Sequence, residues 1–252
     1  MPLPWTGSRF ALGLLEIGRP WAVTKAVPGE QAARQFLEYA FEAGVRVFDT
    51  APSYALSEVR LGAFLKSLTA EQRAELFIAT KFGETWNLER DEPETSHSYE
   101  ALRRSVDRSL ELLGRIDLLQ VHKAAPAVLR SGDLARAMEH ASEIGVPAFG
   151  ASVKDPETAH IACTDPRFLQ LQFPYNSVNR SMRPAVLEAR SAGRLLFLNR
   201  PFNMGALLAS GESPVSAIRA ILAEPFDGAI LFGTASEAHL AENLTAFREA
   251  AA

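Results

Sequence analysis

What most restricts this chain is a hydrophobic period that switches between about 2 and about 3.6 residues, again and again, along its whole length. Short, nearly continuous apolar runs occur at Val45–Asp49 (VRVFD), Leu76–Lys81 (LFIATK), Ile116–His122 (IDLLQVH), Val146–Ser152 (VPAFGAS), Phe168–Gln172 (FLQLQ), Leu195–Asn199 (LLFLN) and Ala229–Phe232 (AILF). Phe10–Leu15 (FALGLL) is a weaker first member. Apolar runs without strict alternation suit strands buried on both faces, where no solvent side demands a polar residue at every second position. Between these runs the apolar residues take helical spacing. Ala33, Phe36, Leu37, Ala40 and Phe41 form one stripe, with Gly44 as its stop. Leu61, Phe64, Leu65 and Leu68 form a second, and Leu102, Val106, Leu110 and Leu113, closed by Gly114, a third. Asp133–Ile144, Asp155–Ala162, Arg183–Ala192, Pro214–Ala223 and Ser236–Ala250 continue the series, the last with Ser236 as N-cap. Asn87–Ser98 is polar and acidic and reads as an exposed loop.

Strands alternating with helices in this number leave two architectures, a closed (β/α)8 TIM barrel and an open doubly wound sheet. An open dinucleotide-binding sheet carries G-x-G-x-x-G after its first strand, and this chain has no such motif. The barrel is therefore the expected fold, as a single domain over residues 1–252, a length that suits it. A net charge of −4 without a basic stripe argues against nucleic acid as a partner. A membrane is not expected either, since no stretch approaches ~18 uninterrupted apolar residues. Cys163 is the only cysteine, which excludes an intrachain disulfide or a thiolate metal site and suits a reducing compartment. Residues Met1–Phe10 lack the charged and apolar regions of a secretory signal, so a cytoplasmic location is expected.

In a barrel, reactive side chains stand where the strands end and on the loops that follow. The second strand ends in Asp49 and leads to Tyr54, the third ends in Lys81, the fourth in His122, the fifth in Ser152 and the sixth in Gln172. Singly, each has an ordinary reading: a turn aspartate, a surface tyrosine, a snorkelling lysine, a core histidine. Together they suit carbonyl reduction. Hydride arriving at a carbonyl carbon leaves charge on oxygen, and a proton donor must stand beside it. Tyr54 is the expected acid. Lys81 is expected to lower its pKa from about 10, with Asp49 holding Lys81 in place and charged. His122 is expected to polarise the carbonyl.

These residues resemble those of the aldo-keto reductases. The resemblance runs through Phe48-Asp49-Thr50-Ala51-Pro52-Ser53-Tyr54, Ser57-Glu58 and Leu61-Gly62. It continues through Ala79-Thr80-Lys81, Ser105–Leu110 with Leu113-Gly114, and Val121-His122. Gln172 with Tyr175-Asn176, Gly233-Thr234 through His239-Leu240, and Glu242-Asn243 complete it. It implies a metal-free reaction and a nicotinamide cofactor extended across the strand mouth. Ser152 and Gln172 would hold the carboxamide. The Pro201–Leu207 loop, including Phe202 and Gly205, would line the pyrophosphate. Glu242 and Asn243 would contact the adenosine. Val153 stands where the family commonly has Asn, and Asn199 with Arg200 where it commonly has an aromatic against the nicotinamide. The chain also lacks the long insertions after strands four and seven that usually shape the pocket.

The resemblance implies NADP(H) as preferred cofactor. The segment Gly233-Thr234-Ala235-Ser236 offers no fixed positive charge for a 2′-phosphate, and His239 stands where Arg is common. NAD(H) is therefore expected to be usable. The substrate is a small carbonyl or alcohol, with Trp21, Phe82 and Trp86 as candidate pocket aromatics. Two rivals stand beside this reading. A metal-dependent hydrolase finds no second histidine at the rim, because His97 falls in a loop and His140 and His160 in helices. The other rival is a cofactor-binding sensor or accessory subunit with little turnover.

Overall fold

The structure, a computed structural model, describes residues 5–21 and 26–252. In chain order its strands are β1 (Phe10–Gly13), β2 (Val47–Asp49), β3 (Phe77–Phe82), β4 (Glu84–Asn87), β5 (Glu92–Thr95), β6 (Leu118–Val121), β7 (Phe149–Ser152), β8 (Phe168–Pro174), β9 (Leu195–Asn199) and β10 (Gly228–Gly233). Eight of them close into a barrel in the order β1-β10-β9-β8-β7-β6-β3-β2, every neighbour parallel. The ring is shut by β1, which pairs Phe10–Gly13 with Ile230–Gly233 on one side and Leu12–Gly13 with Phe48–Asp49 on the other.

The helices outside are α1 (Leu15–Gly18), α2 (Glu30–Glu42), α3 (Ser57–Ser67), α4 (Ala70–Ala74), α5 (Tyr99–Leu113), α6 (Pro126–Leu129), α7 (Gly132–Glu143), α8 (Pro156–Thr164), α9 (Arg183–Ser191), α10 (Ala206–Ala209), α11 (Pro214–Leu222) and α12 (Glu237–Ala251). Strand side chains alternate between two cores. Phe48, Ile78, Phe82, Leu119, Val121, Leu171, Phe173, Leu198 and Phe232 pack outward against the helices. Ala11, Val47, Phe77, Ala79, Leu118, Ala148, Phe197, Ala229 and Leu231 fill the barrel itself. Each large apolar side chain buried this way contributes roughly 1.5–3 kcal/mol. Trp5 closes the N-terminal end, edge-on to Phe77 at 5.2 Å between ring centres and 5.5 Å from Phe197.

Above the apolar filling the interior turns polar. Lys81, Gln120, Gly150 and Gln170 stand in register across four adjacent strands. A Cβ on Gly150 would overlap Oε1 of Gln170, so a larger residue there would have to displace that amide.

Several strands begin later than the apolar runs suggest. Val45 and Val146 are buried but precede β2 and β7. Each follows a left-handed glycine, Gly44 or Gly145, and donates its N–H back to the preceding helix, at Ala40 O and Ala141 O respectively, 2.9 Å in both cases. This is a helix-closing hydrogen bond with its hydrophobic contact, so their apolarity belongs to the cap and not to a strand. The expected loop at Asn87–Ser98 is in fact mostly hairpin: β4 and β5 pair antiparallel, Glu84 opposite Thr95 and Asn87 opposite Glu92. All four residues of β5 are exposed, so no apolar signal marked it.

Candidate active site

Strand alternation points Asp49 and Lys81 into the barrel on neighbouring strands. Lys81 Nζ donates to Asp49 Oδ2 at 2.6 Å and to Thr50 O at 2.9 Å. Gln120 Nε2 donates to Asp49 Oδ1 at 2.8 Å, so both carboxylate oxygens are engaged. The pair is fully buried, which makes it expensive to break. Burial disfavours the Lys81 ammonium, but the Asp49 charge and then Tyr54 outweigh it and leave its pKa above the ordinary value.

Tyr54 ends a 3₁₀ turn, Pro52–Tyr54, between β2 and α3. This turn is tied down from several sides. Thr50 Oγ1 and Ser57 Oγ share a hydrogen bond of 2.8 Å, and Ser57 Oγ donates to Leu14 O at 2.8 Å. Gly18 of α1 lies against the backbone of Tyr54 and Ser57, where a Cβ would overlap Tyr54 O. Lys81 Nζ is 4.9 Å from the centre of the Tyr54 ring. The expected lowering of the Tyr54 pKa is not what results. Burial raises it, the Lys81 charge opposes that rise, and Asp49 adds to it, so the net direction is upward. Charges are legible in a sequence, but desolvation is a property of the folded site.

His122, one residue past β6, stands edge-on to Tyr54, with ring centres 6.1 Å apart. Its pKa is pushed well below the ordinary value by burial and by the charges of Lys81, Lys123, Lys154 and Arg19. The imidazole is therefore neutral at pH 7. Ser53 Oγ is 3.4 Å and Glu84 Oε2 is 3.2 Å from Nδ1, and the Glu84 charge does not reverse the shift.

Asp49, Tyr54 and His122 line one cavity of about 480 Å³ at the C-terminal mouth. Of the other expected residues, Ser152, Gln172, Asn199, Arg200, Pro201, Phe202, Gly205, Gly233, His239, Glu242, Asn243 and Trp21 line it too. Lys81 does not line it and acts on it through Asp49 and Tyr54. Leu207 is buried behind the loop, and its neighbour Leu208 lines the cavity instead. Thr234 and Ser236 are turned to local work: Thr234 Oγ1 accepts from Ser236 N, and Ser236 Oγ caps α12 by accepting from His239 N. Phe82 is fully buried in the outer core, because it shares a strand face with Ile78 and Thr80, away from Lys81. It is not a pocket aromatic. Trp86, on β4, does not line the cavity, although the Arg19 guanidinium sits over both Trp86 and Trp21, at 4.8 and 5.3 Å.

Sequence reading passed over Glu84, Arg19, Lys123 and Lys154, all lining the cavity. It also passed over what Asn176 does. Its Nδ2 donates to Arg200 O at 3.0 Å, and its Oδ1 accepts from Val178 N and Asn179 N, which fixes the loop after β9. Arg200, Asn203, Met204 and Gly205 in that loop all have positive φ.

The residues present fit a nicotinamide on one observation. Gln172 Nε2 and Asn199 Oδ1 are buried, line the cavity and have no hydrogen-bond partner. An orphaned donor and an orphaned acceptor on adjacent strands of one cavity wall are the complement of a primary carboxamide. Among the described residues, no group of three His, Cys, Asp or Glu side chains converges to hold a metal. No described helix is long and apolar enough to cross a membrane.

The family model for the aldo/keto reductase family matches residues 9–213. The chain belongs to the aldo/keto reductase family. It superposes on a structure described as an aldo-keto reductase from Pseudomonas aeruginosa with a TM-score of 0.82 at 28% identity, covering 100% of this chain and 95% of that one. An aldo-keto reductase from Bacillus halodurans in its holo form shares the fold, with a TM-score of 0.80 at 18% identity over 97% of this chain and 90% of that one. Among curated proteins, a D-threo-aldose 1-dehydrogenase from a Pseudomonas species is 38% identical over a stretch covering 34% of this chain. That stretch spans 32% of the relative's own length. Aldo/keto reductases are oxidoreductases that work with nicotinamide cofactors.

Proposed function

We propose that the chain is a cytoplasmic, one-domain NAD(P)(H)-dependent oxidoreductase that interconverts small aldehydes or ketones and alcohols, with Tyr54 as the general acid and base. The observation that carries this is the buried Asp49–Lys81 pair beside Tyr54 and His122, in a cavity whose wall also offers the orphaned amide atoms of Gln172 and Asn199. Bound reduced cofactor supplies the hydride that reaches the carbonyl carbon. The protein's own residues do the rest. Tyr54, kept protonated by burial, donates its proton to the carbonyl oxygen. Lys81 faces the phenol and stabilises the tyrosinate left behind. Neutral His122 orients the oxygen. Ser152 and Gln172 hold the carboxamide, and Asn199 supplies the contact that Val153, in the place of the family's Asn, cannot make. The loop from Arg200 to Gly205 receives the pyrophosphate, and His239, Glu242 and Asn243 the adenosine end. NADPH is preferred by a modest margin.

The sensor reading remains the rival. Titration of nicotinamide fluorescence with NADPH, followed by absorbance of the reduced cofactor with a panel of aldehydes, separates the two. Turnover is expected, and Tyr54→Phe is expected to lower kcat by about 10²–10⁴ while leaving the Kd for NADPH within a few-fold. NADPH binding without any oxidation by the wild type would overturn the reading in favour of a sensor.

A further inference from the structure

We propose that the substrate carries an anionic group, a carboxylate or a phosphate, which Lys154 and Lys123 receive on the rim between β6 and β7. This rests on the oxidoreductase reading above and goes on to name its substrate class.

Lys123 directly follows His122, and Lys154 lies two residues beyond Ser152. Because β6 and β7 are neighbours in the barrel, the two lysines stand side by side, and both line the cavity that holds Tyr54 and His122. Lys123 is held there by a left-handed backbone, φ 52°, which a lysine rarely adopts. Compensating negative charge is scarce at this spot. Asp49 is committed to Lys81. Glu84 is shared: Oε1 is 3.3 Å from Lys123 Nζ, while Oε2 faces His122. Lys154 forms no ion pair among the described residues. The proximity is felt, since the Lys123 charge is the largest cause pulling the Lys154 pKa below its ordinary value. Two like charges held together at the lip of a cavity are relieved by an anion, and they steer one toward it.

The position of the lysines fits substrate better than cofactor. The acidic rim residues Glu16 and Glu242 follow β1 and β10, on the side of the ring opposite β7 and β6. Arg19 and Arg200 add cations at other points of the rim, so Lys123 and Lys154 are set apart by standing together next to His122. Lys123 follows His122 directly and shares Glu84 with it, which places an anionic tail held by the lysines close to the reacting carbonyl. Selectivity of this kind arises when a charged pocket group is satisfied by one substrate and left unpaired by its analogue.

The test uses matched carbonyl compounds: 4-carboxybenzaldehyde against its methyl ester, and glyceraldehyde 3-phosphate against glyceraldehyde. The expected wild-type kcat/KM favours the anionic member of at least one pair by tenfold or more, and the ratio shrinks as salt is raised. The pair that shows it tells carboxylate from phosphate. Lys154→Met is expected to cut that ratio about tenfold and Lys154→Arg to keep it, with the Kd for NADPH alike in all three proteins. A wild-type ratio near one in both pairs overturns the proposal. So does a Lys154→Met variant that loses both members equally or that loses NADPH affinity. If none of the aldehydes is reduced, it is the oxidoreductase reading that has failed. Binding of benzoate against benzamide, compared between wild type and Lys154→Met, then still decides whether the anion site exists.

Discussion

Glu58 offers a quantitative check on how burial sets charge next to the site. It lies on α3, 3% exposed, and accepts a 2.6 Å hydrogen bond from Thr80 Oγ1, one residue before Lys81. Burial pushes its pKa from 4.5 up to about 7, against the pull of hydrogen bonds from Thr80 and Ser109 and the charges of Lys81 and Arg108. Between those two values the folded protein binds more protons at this group than the unfolded chain does. Stability from Glu58 is therefore full below pH 4.5 and is lost as pH rises through about 7. At about 1.4 kcal/mol per pH unit the whole effect is about 3 kcal/mol, an upper figure. Glu58→Gln removes the titration and keeps an acceptor for Thr80 and a polar partner for Ser109. In urea unfolding at pH 5, 6, 7 and 8, the difference between variant and wild type is expected to shift in favour of the variant by about 1–3 kcal/mol across the series, with an unchanged m-value. Parallel curves for the two proteins from pH 5 to 8 would refute the reasoning, because the carboxylate would then be as well solvated folded as unfolded.

Lys81→Met strands the Asp49 carboxylate in the barrel, so a stability loss of about 3–5 kcal/mol is expected along with loss of turnover. Adding Asp49→Asn should restore most of the stability in urea melts and none of the activity. Gly18→Ala forces the Tyr54 turn outward and is expected to lower kcat by roughly 10², the cost of about 1 Å of misplacement, with little change in NADPH affinity by fluorescence titration. Because burial raises the Tyr54 pKa, carbonyl reduction should hold through neutral pH and fall only above the ordinary phenol value of about 10; a falling limb near pH 7 in a pH–rate profile would contradict Tyr54 as the acid. His239→Arg is expected to widen the NADPH-to-NADH preference, as side-by-side dissociation constants would record.

The barrel and the positions of Asp49, Tyr54, Lys81 and His122 were legible because they depend on strand periodicity, and strand exits collect on one rim whatever the loops do. Glu84 and Lys123 were not legible, since turn geometry decides where they point. Glu84 comes after Gly83, whose φ of 99° bends the chain into the hairpin, and Lys123 depends on its own positive φ. Phe82 was misassigned by one step of alternation: next to Lys81 in sequence, it faces the opposite way. The direction of the Tyr54 pKa was lost for another reason. A list of neighbours can be read from a pattern, but the exclusion of water from around them cannot.

With Trp5 seated on Phe77 and Phe197, the barrel is a cul-de-sac, and everything that reacts in it must come and go through the same doorway. With one mouth, the pace of a full cycle can be governed by how readily product leaves, and residues on the lip can set turnover without touching the chemistry.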